Sequence, residues 1–293
     1  MTLVLGRSER ESGPHARAAA RAVGWGDGGD LLDLGSTTAT LETVSQLADL
    51  AAVVYLDHPQ QPGPELERAL LAAPANVVVT ASVGVAREWA WVGRAGARVT
   101  APPGAVVVDE AGMRDCRHRL RALGASPRLV PTRTPAAERI ALAGPAGTLL
   151  VERSAIPDGF AELPESERLA DPSPLWYGLV TADRRPEPFD SPAQVWLAFG
   201  PRDDHRGSLQ HTLGVIADAG IDLQHLRSHR SEAGPHVFFS SFSCPSSEVL
   251  DALTAELATG SVAHRVLAVL PGASFEPGPV AVTPRWAQTA VPA

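Results

Sequence analysis

The stretch "HRGSLQHTLGVIADAGIDLQHLRSHR", residues 205–230, decides the fold of the C-terminal third of the chain. It reads as a helix opened by Gly207-Ser208-Leu209 and closed by Gly220, running directly into a strand from Ile221. A glycine at the helix start has a physical use, because a carboxylate or amino group approaches a helix N-terminus closely only where no side chain intervenes. Outward from this stretch, "QVWLAFG" (194–200) precedes it as a strand. "PHVFFSSFSC" (235–244), "SSEVLDALTAELATG" (246–260) and "HRVLAVLPGA" (264–273) follow as strand, helix and strand. The order βαββαβ within residues 193–276 predicts a ferredoxin-like split βαβ unit.

Upstream, short β-like runs alternate with Ala/Leu/Arg-rich helical stretches, the pattern of an α/β protein. "TLVLG" (2–6), "LAAVVYL" (50–56) and "NVVVTASVGV" (76–85) read as strands. "SGPHARAAARAVG" (12–24) reads as a helix with Ser12 as N-cap, and "GPELERALLAA" (63–73) as another. "GAVVVDEAGMRDCRHRLRALGA" (104–125) passes from strand to helix, and "PRLVPT", "TPAAERIALAG" and "GTLLVER" continue the alternation to residue 153. No G-x-G-x-x-G follows any strand, so a two-lobed binding-protein architecture is expected rather than one dinucleotide-binding sheet. Residues 1–182 form this part, the Pro-rich 183–192 a linker, and 277–293 a Pro-rich tail.

At 293 residues the chain is comfortable for two domains. No apolar run approaches the length of a membrane-spanning helix, and the N-terminus turns charged too soon for a signal peptide, so a cytoplasmic protein is expected. A net charge of −8 sets a repulsive field against nucleic acid. Cys116 and Cys244 are far apart, without metal or redox spacing, and read as small buried residues. All 25 basic residues are arginine, which excludes a lysine Schiff base and leaves arginine forks, backbone N–H groups and hydroxyls to hold anions. His205, His211, His225, His229 and His236 lack metal-ligand spacing and read as surface or interface histidines.

The C-terminal unit resembles an ACT domain, a module that binds amino-acid effectors, with Gly207-Ser208-Leu209 standing at its Gly-Ala-Leu turn. An ACT domain behind a two-lobed α/β domain of the periplasmic-binding-protein type II kind resembles prephenate dehydratase over nearly the whole chain. "LGRSERESGPHARAAA" stands at the family's Leu-Gly-Pro-x-Gly-Thr-x-Ser loop, with Gly6 and Ser12 matching. "VVVDEAGMRDCRHRL" parallels its Ser-His-Pro-x-Ala-Leu-x-Gln-Cys helix, with Cys116 in register. "LVPTRTPAAERIA" matches its Ser-Thr-x-x-Ala-Ala segment through Thr132, Thr134, Ala136 and Ala137.

The departures are informative. Where the family has Pro-Ile-Glu-Asn-Ser, this chain has Tyr55-Leu56-Asp57-His58-Pro59. Counting from Asp171, the family's Thr-Arg-Phe becomes Tyr177-Gly178-Leu179. The Glu-Ser-Arg-Pro strand of its ACT domain becomes Arg227-Ser228-His229-Arg230, with charge reversed at the first position. The resemblance implies a cofactor-independent lyase acting on prephenate or a close analogue. With the dehydration motif replaced, non-aromatising decarboxylation is the leading expectation; dehydration to phenylpyruvate and a non-catalytic sensor are the alternatives. Arg133, between Thr132 and Thr134, is the candidate carboxylate fork. Tyr177 replaces the lost hydroxyl or fills its space; Asp57 and His58 are candidate acid and base; Tyr55 and Trp176 line the pocket. Ser36, Thr37 and Thr38 cradle a carboxylate, or Ser36 caps the next helix. Gly207, Ser208, Leu209, Arg227 and Ser228 form the candidate effector site. A homodimer or homotetramer is expected, with faces such as Val237 and Phe239 buried between copies.

Overall fold

The computed structural model describes residues 2–6, 13–25, 32–47, 49–86, 88–96, 105–131, 134–169, 174–182, 187–201, 205–231, 234–272, 274–276 and 278–279. The first lobe is built from β1 (Thr2–Gly6), α1 (Gly13–Ala22), β2 (Leu32–Asp33), α2 (Thr37–Gln46), β3 (Leu50–Asp57), α3 (Pro64–Ala72) and β4 (Val77–Val85). Strands β1, β2 and β3 are parallel, and "LAAVVYLD" in β3 is apolar almost throughout because helices cover both faces of such a sheet. Ser36 caps α2, its hydroxyl accepting from the Ala39 N–H at 3.2 Å.

The chain then crosses to a second lobe of β5 (Trp89–Arg94), β6 (Ala105–Asp109), α4 (Glu110–Ala122), β7 (Ser126–Val130), α5 (Ala136–Ala143), β8 (Thr148–Glu152) and β9 (Phe160–Glu162). Its five strands run in the order β7-β6-β8-β5-β9. Strand β10 (Leu175–Ala182) returns to the first lobe, lying antiparallel between β3 and β4. Two crossings thus connect two sheets, as the two-lobed reading of the sequence requires.

The C-terminal unit follows the predicted βαββαβ order: β11 (Ala193–Pro201), α6 (Ser208–Asp218), β12 (Leu223–Ser231), β13 (Gly234–Cys244), α7 (Ser247–Thr259) and β14 (Val262–Pro271). Its strand order, β12-β13-β11-β14, is that of a ferredoxin-like sheet. Strand β14 pairs in parallel with β4 through Ala268 and Val79, making one nine-stranded sheet with the first lobe.

One face of the C-terminal sheet carries α6 and α7 over Val195, Leu197, Phe199 and Phe242. The other faces the first lobe, where Trp196, Phe239 and Leu267 share a core with Leu56, Leu66 and Leu70. Phe239, expected to be buried by a partner copy, is instead covered within its own chain. Among the described residues no helix is long and apolar enough to cross a membrane. Cys116 and Cys244 are both buried, and burial pushes the Cys244 thiol pKa up.

In β10, Gly178 is forced by close packing: a Cβ there would lie 2.7 Å from both Leu56 Cδ2 and Val79 Cγ1. Gly178→Ala is expected to lower the unfolding free energy by about 1–3 kcal/mol, read as a lower urea midpoint at unchanged slope.

Candidate functional site

Ligands of open α/β sheets gather at the carboxyl ends of the parallel strands. In the first lobe that edge holds Gly6, the start of α2 and Tyr55–Asp57; β10, running the other way, adds its first residues, Leu175–Tyr177. In the second lobe the same edge holds Asp109, Val130 and Glu152. The two edges face each other, because His15 on α1 lies 3.3 Å from Glu152 at the end of β8. The candidate site is this cleft.

The first-lobe sheet divides the sequence-selected residues between its two faces. On the α1 face, Tyr177 is completely buried and packs edge-on against Tyr55, ring centroids 5.7 Å apart. The Tyr55 hydroxyl donates to Asp57 Oδ1 at 3.2 Å, and Asp57 is exposed at the cleft edge. Asp57 has φ +69°, a left-handed conformation that few residues with a Cβ adopt, and the β3–β10 register shifts beside it at Trp176/Tyr177. Local strain and a bulge at one cleft residue are features that cluster at functional sites.

On the opposite face, His58 and Trp176 meet the C-terminal unit. His58 Nδ1 accepts from the Gln60 N–H at 3.1 Å, so Nε2 carries the proton that it shares with the Phe275 carbonyl at 3.2 Å. Trp176 packs edge-on against Phe275, with centroids 5.2 Å apart. The same loop gives its Pro59 carbonyl to the Trp196 indole N–H at 2.6 Å and its Gln60 carbonyl to the Ser241 hydroxyl. His58 and Trp176 thus sit in the junction, away from the Tyr55–Asp57 pair.

Of the remaining candidates, Thr37 is buried at the start of α2 and Thr38 is exposed. Thr134 gives its carbonyl to Arg139 Nε at 2.8 Å, and Arg139 pairs with Asp109 at 3.1 Å. Asp109 also caps α4, accepting from the Gly112 N–H at 2.8 Å. Ser12, Thr132 and Arg133 lie outside the described residues. His15, Asp109, Arg139 and Glu152 were not singled out from the sequence. Asp109 had a legible signal, an acid between a strand and a helix at an N-cap position.

In the C-terminal unit, Gly207 opens α6 in a left-handed conformation (φ +96°), Ser208 is buried, and Leu209 packs on the helix-face core. A register shift between Leu223 and His225 turns β12 over. His225, Arg227 and His229 therefore face the first lobe, in register with Ser241, Phe239 and Val237. Ser228 is exposed on the α6 side, so the sheet separates Arg227 from the other four candidate effector residues.

What Arg227 meets is Glu67 of α3, whose side chain is 0% exposed. Glu67 takes the Arg227 guanidinium at 3.0 Å, His225 Nε2 at 2.8 Å and His229 Nε2 at 3.1 Å. A carboxylate so far from water is tolerable only with such a set of donors.

No protein-family model matches the sequence, and no curated protein matches it. Solved structures do. The prephenate dehydratase of Arthrobacter aurescens in complex with L-Phe is 19% identical, with TM-score 0.66 over 97% of this chain and 94% of that one. The prephenate dehydratase of Staphylococcus aureus subsp. aureus Mu50 is 12% identical, with TM-score 0.61 over 92% and 100%. GqqA, described as a novel type of quorum quenching acylase, is 18% identical, with TM-score 0.68 over 95% and 100%. This chain has the prephenate dehydratase fold. It comprises a two-lobed α/β domain and a ferredoxin-like βαββαβ unit.

Removing the Glu67 carboxylate strands one arginine and two imidazoles in the junction. Glu67→Ala is expected to destabilise the protein by about 3 kcal/mol, measured by equilibrium urea unfolding.

Proposed function

We propose that the protein is a cofactor-independent lyase acting on prephenate, and that it decarboxylates this substrate without aromatising it. One observation carries the choice of reaction. Where the resemblance places Thr-Arg-Phe, this chain has Tyr177, Gly178 and Leu179, all in the first-lobe interior, with Tyr177 at 0% exposure. That segment presents neither a small hydroxyl nor a guanidinium to the cleft, so the departing ring hydroxyl of a dehydration loses its support there.

Without that support, the electron pair released when the carbon–carboxylate bond breaks stays in the ring diene. One ring carbon then takes up a proton, and carbon dioxide leaves. Tyr55 and Asp57, hydrogen-bonded at 3.2 Å at the cleft edge, are the proton-handling pair. Asp57, exposed at the cleft edge, carries the proton to the ring carbon and is reprotonated from solvent, while the Tyr55 hydroxyl orients its carboxyl group by donating to Oδ1. Arg133 remains the candidate fork for a substrate carboxylate, and the fold shared with two prephenate dehydratases supports the substrate class.

Product analysis on purified protein with prephenate tests the reading. A non-aromatic keto acid with one equivalent of carbon dioxide is expected. Phenylpyruvate would overturn it in favour of dehydration, and binding without turnover would favour a sensor. Asp57→Asn, which keeps a side chain tolerant of positive φ, and Tyr55→Phe should each lower kcat at least tenfold, about 1.4 kcal/mol. Unchanged rates in both would remove the pair from the chemistry.

A further inference from the structure

The chain leaves β14 at Pro271 and turns at Gly272, whose φ of +122° is open to few residues with a Cβ. The turn brings Phe275 back onto the core shared by the C-terminal sheet and the first lobe, where it is only 4% exposed. There it meets two residues at once. Its carbonyl takes the His58 Nε2 proton at 3.2 Å, and its ring packs edge-on against Trp176 with centroids 5.2 Å apart. His58 and Trp176 also meet each other edge-on, at 6.2 Å.

These two residues flank Asp57 along the chain and across the sheet. His58 follows it in sequence, and Trp176 is its partner in the β3–β10 ladder, at the point where the register shifts. Asp57, at φ +69°, is a left-handed residue with a Cβ, which relaxes toward extended backbone unless its neighbours hold it. The loop that follows is short and closed, because the Gly63 N–H returns to the Leu56 carbonyl at 3.1 Å. A shift of His58 or Trp176 is therefore passed directly to Asp57.

We infer that Phe275 is a positioning residue for the cleft: it holds His58 and Trp176, and through them keeps Asp57 in the conformation that sets its carboxyl group against the Tyr55 hydroxyl. The inference rests on the proton-carrying role given to Asp57 above. It makes the segment after β14 a working part of the site, although Phe275 lies on the far face of the sheet from Tyr55 and Tyr177. A misplaced carboxyl group slows proton delivery without loosening the hold on the substrate, so the effect falls on kcat rather than on KM.

Steady-state kinetics of the full chain with prephenate tests this. Phe275→Ala is expected to lower kcat about tenfold, with KM changed less than about twofold. Phe275→Leu, which keeps most of the apolar volume, should show the same pattern with a loss of about threefold; should the alanine variant fail to fold, Phe275→Leu decides. On an Asp57→Asn background neither substitution should lower kcat further by more than about 1.5-fold, because the group they act through is already gone. Unchanged kcat, a change confined to KM, or losses that multiply fully with that of Asp57→Asn would each overturn the inference and leave the role of Asp57 standing. Asp57→Asn turning over at the wild-type rate would overturn both, and it is told apart because it needs no change at position 275.

Discussion

A single buried carboxylate sets the terms on which the two halves of this protein meet. Glu67 sits in the first turn of α3 with its side chain wholly out of water, and all three charged or titratable partners come from β12, about 160 residues later in sequence. Glu67 and Arg227 together form a neutral ion pair. Had either partner been lost alone, the remaining ion would cost about 3–5 kcal/mol. The pairing therefore fixes orientation more than it adds stability, because it sets β12 against α3 in one register.

Other contacts hold the same helix and the loop before it. Arg265 fastens the last carbonyls of α3, while Trp196, Ser241 and Phe275 hold the backbone or ring of residues 58–60. The segment 58–73 is thus braced by the C-terminal sheet at both ends and in the middle. Asp57, in its left-handed conformation, stands immediately before it. A strained residue persists only where its surroundings over-determine it, and here the surroundings include the C-terminal unit.

Much of the architecture was legible because local pattern and tertiary role agree. The βαββαβ order followed from apolar runs and glycine punctuation, and Ser36 capped the helix that its spacing suggested. Strand β5 escaped notice because all of its residues from Trp89 to Gly93 are buried, leaving no alternation to read. Strand β12 misled in a different way. Its inward residues are His225, Arg227 and His229, a polar face that makes sense only once Glu67 is known to lie against it. Glu67 itself looks like an ordinary first-turn acid in "PELERALLA", although its spacing from Leu70 places it on the buried side. The candidate site was half legible. Tyr55, Asp57, His58, Trp176 and Tyr177 do gather at one sheet edge, but the sheet puts His58 and Trp176 on the junction face, a division that linear distance along β3 and β10 does not reveal.

The bracing of the cleft edge by the C-terminal sheet is tested most directly by amide hydrogen exchange on the intact protein carrying Arg227→Met in β12. Loss of that guanidinium should speed exchange in α3 and in residues 58–63, remote in sequence from the substitution, while the second-lobe strands keep their wild-type protection. Acceleration confined to β12 and its neighbour β13, with residues 58–73 as protected as before, would contradict the account.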